Sequence, residues 1–154
     1  MLKIALALPR DLQDVGILFR EYSKLVAEAL CFQNFGQELE ALPGAYAPPG
    51  GALWIARDGG VAAGCVALRR LDSGTGEMKR MYVREPYRRS GLGRRLAFEA
   101  IGAARNLGYK RLVLDTLPKL TNAIALYRDL GFRETGPYLA CPTPDAICFE
   151  LRIS

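Results

Sequence analysis

Apolar residues recur along this chain with two periods, and the switches between them mark out the elements. Leu12, Val15, Leu18, Phe19, Tyr22, Leu25, Val26 and Ala29 fall on one face at helical spacing, which predicts a helix from residue 12 to about 30. Asp11 before it is a good capping residue, and Asp14 puts negative charge in the first turn. A strand over 3–8 precedes this helix, and a second helix is expected over about 33–41. Three prolines and three glycines between 42 and 51 exclude helix there. Strands follow at 53–57 and 61–71, joined through Asp58-Gly59-Gly60, a strong hairpin signal. After a turn at 72–76, a strand over 77–83 stops short of Pro86, which holds Glu85 extended. Leu92, Leu96, Ala97, Ala100, Ile101 and Ala104 then define a helix face, closed near Gly108. RLVLDT, residues 111–116, reads as a buried strand. Ala123, Leu126, Tyr127 and Leu130 mark a helix over 121–130, closed by Gly131, and strands over 132–138 and 147–153 complete the chain. The order β-α-α-β-β-β-α-β-α-β-β describes an α/β domain with a meander first and strand–helix–strand units later. No repeat or linker interrupts it, so residues 1–154 are expected to form one domain.

Composition narrows the chemistry. The chain is 50% apolar and 24% charged, the balance of a soluble globular protein. It lacks the ~18 uninterrupted apolar residues of a membrane helix, and the run Ile4 to Leu8 is shorter than the ~7 to 15 residues of a signal-peptide core. A cytoplasmic protein without a membrane partner is expected. Its four cysteines form no CxxC pair and histidine is absent, so neither a metal site nor a disulfide framework is suggested. The missing histidine also excludes Ser-His-Asp and Cys-His catalysis. A general base must be Glu, Asp, Tyr, Lys, Cys or a water relay. Charge is uneven: Lys79, Arg80, Arg84, Arg88, Arg89, Arg94 and Arg95 are accompanied only by Glu85 between 79 and 95. Such a local positive field attracts an anionic partner. A nucleic acid is not expected, because only Tyr82 and Tyr87 are interleaved for stacking.

Residues 88–93, RRSGLG, lie where the strand over 77–83 gives way to a helix. A helix start presents unpaired N–H groups, glycine allows close approach, and together they favour a diphosphate. The Walker pattern GxxxxGK[ST] is absent, and the third glycine of a GxGxxG fingerprint is replaced by Leu96.

The stretch MKRMYVREPYRRSGLGRRLAFEAIGAARNLGY closely resembles the acetyl-CoA loop of the GNAT superfamily of N-acetyltransferases. The pattern Arg/Gln-x-x-Gly-x-Gly/Ala is met by Arg88, Gly91 and Gly93, and AIALYRDLGF resembles the family's later helix. The resemblance implies the acyl-CoA N-acyltransferase fold: a mixed, mostly antiparallel central sheet, flanked by helices and splayed between its fourth and fifth strands. It implies acetyl-CoA as co-substrate and no metal. Backbone amides of Arg89, Ser90, Gly91, Leu92, Gly93 and Arg94 would hold the diphosphate, with Arg88 beside them. The main chain of Met81, Tyr82 and Val83 would pair with the pantetheine arm.

By the same resemblance, Glu77 is the candidate base, although a strand carboxylate beside Lys79 and Arg80 also reads as an exposed ion-pair partner. Tyr127 is the candidate proton donor to the leaving thiolate, although its spacing also suits a core aromatic. A backbone N–H near Met81 or Tyr82 would serve the oxyanion. The implied reaction is direct transfer of an acetyl group to a primary amine in a ternary complex. A non-catalytic acyl-CoA-binding sensor is the alternative. Leu120 stands where the family often has asparagine, and Asn122 is left as a helix cap. The acceptor, a small-molecule or protein amine, would be read by residues 20–50 and 138–146, where Tyr22, Phe32, Phe35, Tyr46 and Tyr138 are candidates for an aromatic lining. A monomer or homodimer is expected.

Overall fold

The computed structural model describes residues 1–26, 35–138 and 145–153. One mixed sheet contains β1 (Leu2–Leu6), β2 (Ala52–Asp58), β3 (Val61–Asp72), β4 (Thr75–Val83), β5 (Arg111–Thr116), β6 (Arg133–Thr135) and β7 (Ile147–Arg152). Their spatial order is β1-β2-β3-β4-β5-β7-β6. Every neighbouring pair is antiparallel except β4 and β5, which are parallel because α3 (Leu92–Asn106) crosses between them. The other helices are α1 (Leu12–Val26), α2 (Phe35–Glu40) and α4 (Thr121–Asp129).

Alternation along the strands sorts side chains to two faces. Leu68, Met78, Leu112, Leu114 and Phe149 pack with Leu96, Ala97, Ala100 and Ala104 of α3. Cys65, Ala67 and Ile55 pack with Val15, Leu18 and Phe19 of α1 on the other face.

β4 and β5 are joined at three residue pairs, Thr75 with Arg111, Gly76 with Leu112 and Glu77 with Val113. Beyond Glu77 they part, while β5 stays paired with β7 as far as Thr116. A bulge bends β4 just past that point. Lys79 opposes Ala67 and Tyr82 opposes Cys65, so β4 carries one extra residue. Arg80 absorbs it in the left-handed region, at φ 58°. Gly64 makes room across the ladder: a Cβ there would lie 2.6 Å from the Tyr82 carbonyl oxygen.

Arg80 also ties α2 to the bulge. It is buried and grips Glu38 through Nε at 3.0 Å and Nη2 at 2.9 Å. Tyr46 donates to the same carboxylate at 3.1 Å. The guanidinium lies 6.0 Å from the centre of the Phe19 ring and 5.4 Å from that of Phe35. A planar, forked cation suits this combination of bidentate pairing and ring contact.

Several local expectations are corrected. Asp11 does not cap α1 from outside. A turn of 3-10 helix at Pro9–Asp11 leads into α1, and the Asp11 carboxylate reaches back to the Leu8 N–H at 2.8 Å. β4 begins at Thr75 rather than 77, and β6 spans only Arg133–Thr135. Residues 27–34, with the expected end of the first helix, lie outside the described residues.

Two outcomes test this geometry. Gly64→Ala is expected to cost about 1–3 kcal/mol, the range for overpacking, read as a lower Tm. Gly102→Ala is the control, because nothing lies within 4 Å of a Cβ at that helical position. Equal melting of Gly64→Ala and the parent would contradict the close approach. Arg80→Ala and Arg80→Gly both remove the Glu38 pair, but only glycine enters the left-handed region without a penalty of about 1–2 kcal/mol. Arg80→Gly should therefore be the more stable of the two in denaturant unfolding, and the reverse order would refute a left-handed bulge.

Candidate functional site

The site begins where β4 ends. A turn of 3-10 helix at Glu85–Tyr87 follows, with the Arg88 N–H donating to the Glu85 carbonyl at 3.1 Å. Arg89 (φ 65°) and Gly91 (φ 83°) are both left-handed, with Ser90 between them. The Ser90 hydroxyl donates to the Tyr87 carbonyl. Alternating hand turns successive N–H groups toward a common concavity. The N–H of Arg95 donates to the Gly91 carbonyl at 3.1 Å, which leaves Leu92, Gly93 and Arg94 before it as the open donors of the first turn of α3. Above Gly91 the space is open, since a Cβ would meet no atom within 4 Å. Gly93 packs on α4, where a Cβ would lie 3.5 Å from Leu126. The result is a concavity of open N–H donors at a helix start, assembled from the residues that the sequence singles out.

The basic cluster is not one free surface. Arg84 grips Glu21 through Nε at 3.0 Å and Nη2 at 2.7 Å, Arg80 grips Glu38, and Arg94 pairs with Asp129. Arg95 donates to the Leu2 carbonyl at 3.2 Å. Arg88 turns back to the Val83 carbonyl at 2.8 Å and lies 5.9 Å from the Tyr82 ring centre. Among the described residues Arg88, Arg89 and Arg95 have no carboxylate partner, and the first two lie in the cradle itself.

The gap between β4 and β5 forms a slot lined by Met78, Lys79, Arg80 and Met81 on one side and Leu114 and Asp115 on the other, with Tyr22 and Tyr127. Tyr127 is held by ring contacts with Phe132 at 5.8 Å and Phe149 at 6.4 Å. Burial pushes its hydroxyl pKa up, so it stays protonated at ordinary pH. Tyr22 contacts Tyr82 at 6.2 Å between ring centres. Tyr82 itself donates to Glu21 at 3.1 Å.

Glu77 lies at the apex of the gap and is fully buried, not the exposed carboxylate that its neighbours suggested. Its Oε1 accepts from Arg69 Nε at 2.6 Å and its Oε2 from the Tyr138 hydroxyl at 2.7 Å. Lys79 Nζ lies 3.8 Å from Oε2, while Arg80 is committed to Glu38. Sequence reasoning passed over Asp115, the single acid in the apolar run of β5. It lies in the slot, and burial, assisted by the Glu77 charge, raises its pKa above the usual carboxylate range. Lys79 was read as a member of the basic cluster and as an ion-pair partner of Glu77, not as a slot residue. Burial lowers its pKa, against the opposing attraction of Glu77.

A second pocket opens on the α1 face of β4, among Gln37, Glu38, residues 43–46, Arg69, Lys79 and Arg80. Lys79 and Arg80 line both cavities. The candidate aromatics are therefore dispersed: Tyr22 borders the slot, Tyr46 the pocket, Phe35 the Arg80 guanidinium and Tyr138 the Glu77 carboxylate. Phe32 and residues 139–144 lie outside the described residues. Asn122 is exposed within the first turn of α4 and caps nothing; Leu120 occupies the N-cap without a side-chain bond. No helix among the described residues is long and apolar enough to cross a membrane.

Comparison with known proteins agrees with this geometry. The model of the acetyltransferase (GNAT) family matches residues 19–132. An uncharacterized N-acetyltransferase of Schizosaccharomyces pombe is 41% identical over 152 residues, covering 97% of this chain and 93% of its own. A GNAT-family acetyltransferase from Staphylococcus aureus Mu50 superimposes with a TM-score of 0.84 at 21% identity, covering 100% of both chains. YncA from Salmonella typhimurium, solved with its cofactor acetyl-CoA, superimposes with a TM-score of 0.76 at 20% identity over 100% of this chain and 95% of its own. A single family model over most of the chain, a relative matched over nearly its full length and a shared fold lead to one conclusion: the chain belongs to the GNAT acetyltransferase family.

Proposed function

We propose that this protein transfers an acetyl group from acetyl-CoA to a primary amine, with both bound together. One observation carries the reading: β4 opens from β5 beside a row of slot residues and then ends in a cradle of unclaimed amides. The residues fit the ligand. Arg89, Ser90, Gly91, Leu92, Gly93 and Arg94 offer N–H donors at a helix start to a diphosphate. Past Glu77, β4 presents an edge without a strand partner, so the main chain at Met81 and Tyr82 is free to pair with an extended amide-bearing arm. At Val83 the carbonyl is already taken by Arg88. The likeness in fold to YncA, solved with acetyl-CoA, supports this choice of ligand.

When bound, acetyl-CoA supplies an electrophilic thioester carbonyl and a thiolate leaving group. The chain supplies the proton handling. An amine must lose a proton to be nucleophilic, and a lysine-like amine holds it to a pKa of about 10.4. Asp115 is the carboxylate that faces the slot, and burial together with the Glu77 charge increases its proton affinity. Glu77, held by Arg69 and Tyr138, is the second carboxylate of the pair. Tyr127 keeps its hydroxyl hydrogen and makes no hydrogen bond among the described residues, so it presents a donor to sulfur at the end of the slot. A backbone N–H at Met81 or Tyr82 stabilises developing negative charge on oxygen.

Thiol release from acetyl-CoA over an amine panel tests the reading. With a substrate amine, kcat/KM should rise with pH as Asp115 loses its proton, at a pH above the ordinary carboxylate range. Asp115→Asn should remove that limb and lower kcat/KM by about 10²- to 10⁴-fold. Because the folded pKa of Asp115 is raised, its contribution to stability is complete below the unfolded pKa, about 3.9, and is lost as pH rises through the folded value. Asp115→Asn should therefore melt above the parent at pH 7, which separates lost chemistry from lost fold. Tyr127→Phe should lower kcat at least about tenfold, the loss of one donor worth about 1.4 kcal/mol, while leaving acetyl-CoA affinity intact. Full rates in both variants would sink these roles. Tight acetyl-CoA binding with no amine accepted would instead favour a binding module.

A further inference from the structure

Resting on the acetyltransferase reading, we infer that the acceptor is a free amino acid, held by its α-carboxylate between Arg69 and Lys79 in the pocket beside the slot. Lys79 carries the first part of the case. Its side chain is only 13% exposed, yet its one recorded partner, Glu77 Oε2, is 3.8 Å away, beyond hydrogen-bond reach. A mostly buried ammonium thus has open donors, and it lines both the pocket and the slot. Arg69 lines the same pocket. It spends Nε on Glu77, and its two terminal nitrogens have no hydrogen-bond partner among the described residues. A forked guanidinium beside an ammonium is a carboxylate clamp.

The charge balance selects a monoanion. Arg69, Lys79 and Arg80 face Glu38 and Glu77, which leaves one positive charge in excess. Asp115 lies across Lys79 on the slot side and does not line this pocket, so its charge is set against the amine rather than the carboxylate. The nearby hydroxyls of Tyr22, Tyr46 and Tyr138 are held neutral by burial. A planar monoanion therefore matches better than a dianionic phosphate. Position selects the α-amine. Because Lys79 borders both cavities, a carboxylate bonded to it keeps an amine on the adjacent carbon at the mouth of the slot. Ala41, Pro43 and Ala45 give the pocket an apolar wall, which suits an apolar side chain.

The test uses matched acceptors: L-phenylalanine, L-leucine and L-methionine against their carboxamides and their decarboxylated amines, followed by thiol release from acetyl-CoA. Each free acid should exceed its amide in kcat/KM by about 10- to 100-fold, the range for a hydrogen bond to a charged group, although the amide's amine is the more readily deprotonated. Lys79→Met should raise KM for the acids by a similar factor, with a smaller change in kcat, and bring acid and amide close to parity. Lys79→Arg should keep the preference. Calorimetric titration of the coenzyme A complex with N-acetyl-L-phenylalanine and its carboxamide gives a readout apart from turnover, and only the acid should bind. Equal use of acids, amides and amines would overturn the inference while leaving acetyl transfer intact. Turnover of none of them, with acetyl-CoA bound, would also overturn it. Failure to bind acetyl-CoA would remove the acetyltransferase reading and this inference together.

Discussion

After Glu77 and Val113, two parallel strands that have been hydrogen-bonded for three residue pairs stop being so, and the rest of the site depends on that parting. A sheet interior normally keeps its ladder, because unpaired buried backbone groups are costly. Here the ladder is given up along one edge of β4, and the structure keeps the two strands from closing again. The bulge at Arg80 bends β4 away, Gly64 lets the bent strand sit against β3, and the Arg80–Glu38 grip fixes the bend to α2. On the far side β5 is held by its pairing with β7. The gap is thus a feature of the fold itself.

The same constraint explains where the charged residues lie. A slot opened in a sheet exposes positions that would otherwise be core, and here they include Lys79 and Asp115 rather than only aliphatic side chains, with Glu77 fully buried at the apex. Burial acts on these groups in opposite senses, lowering the pKa of Lys79 and raising that of Asp115. Both shifts move charge toward neutrality, as a low-dielectric site demands. Carboxylates and ammonium held apart in this way are the usual material of proton transfer. The cradle follows from the same strand: β4 leaves the sheet edge at Val83, turns through left-handed Arg89 and Gly91, and delivers the open amides of α3 at the end of the slot.

Much of this was legible in the residues because local signals and the fold agree. Gly59-Gly60, Gly108 and Gly131 lie where turns and helix ends need them, and RRSGLG sits at the strand-to-helix junction that its composition suits. What escaped was what depends on contacts distant in sequence. Arg80 and Arg84 read as part of a basic surface, but their partners Glu38 and Glu21 lie 42 and 63 residues away. Asp115 looked like an ordinary residue of a buried strand, because only the divergence of β4 makes its position a slot wall. Glu77 was singled out by position, but a bond its carboxylate accepts comes from Tyr138, 61 residues on. Asn122 misled because a good capping residue type lies one step inside the helix rather than before it.

The central claim is that the opening between β4 and β5 and the amides of residues 89–94 together hold acetyl-CoA. A crystal structure of the protein with coenzyme A tests it most directly. The expected result is the pantetheine arm lying along β4 at Met81 and Tyr82, the diphosphate against the amides of 89–94, and the thiol near Tyr127. Coenzyme A bound elsewhere, or β4 and β5 zipped together past Glu77 with the ligand excluded, would contradict it.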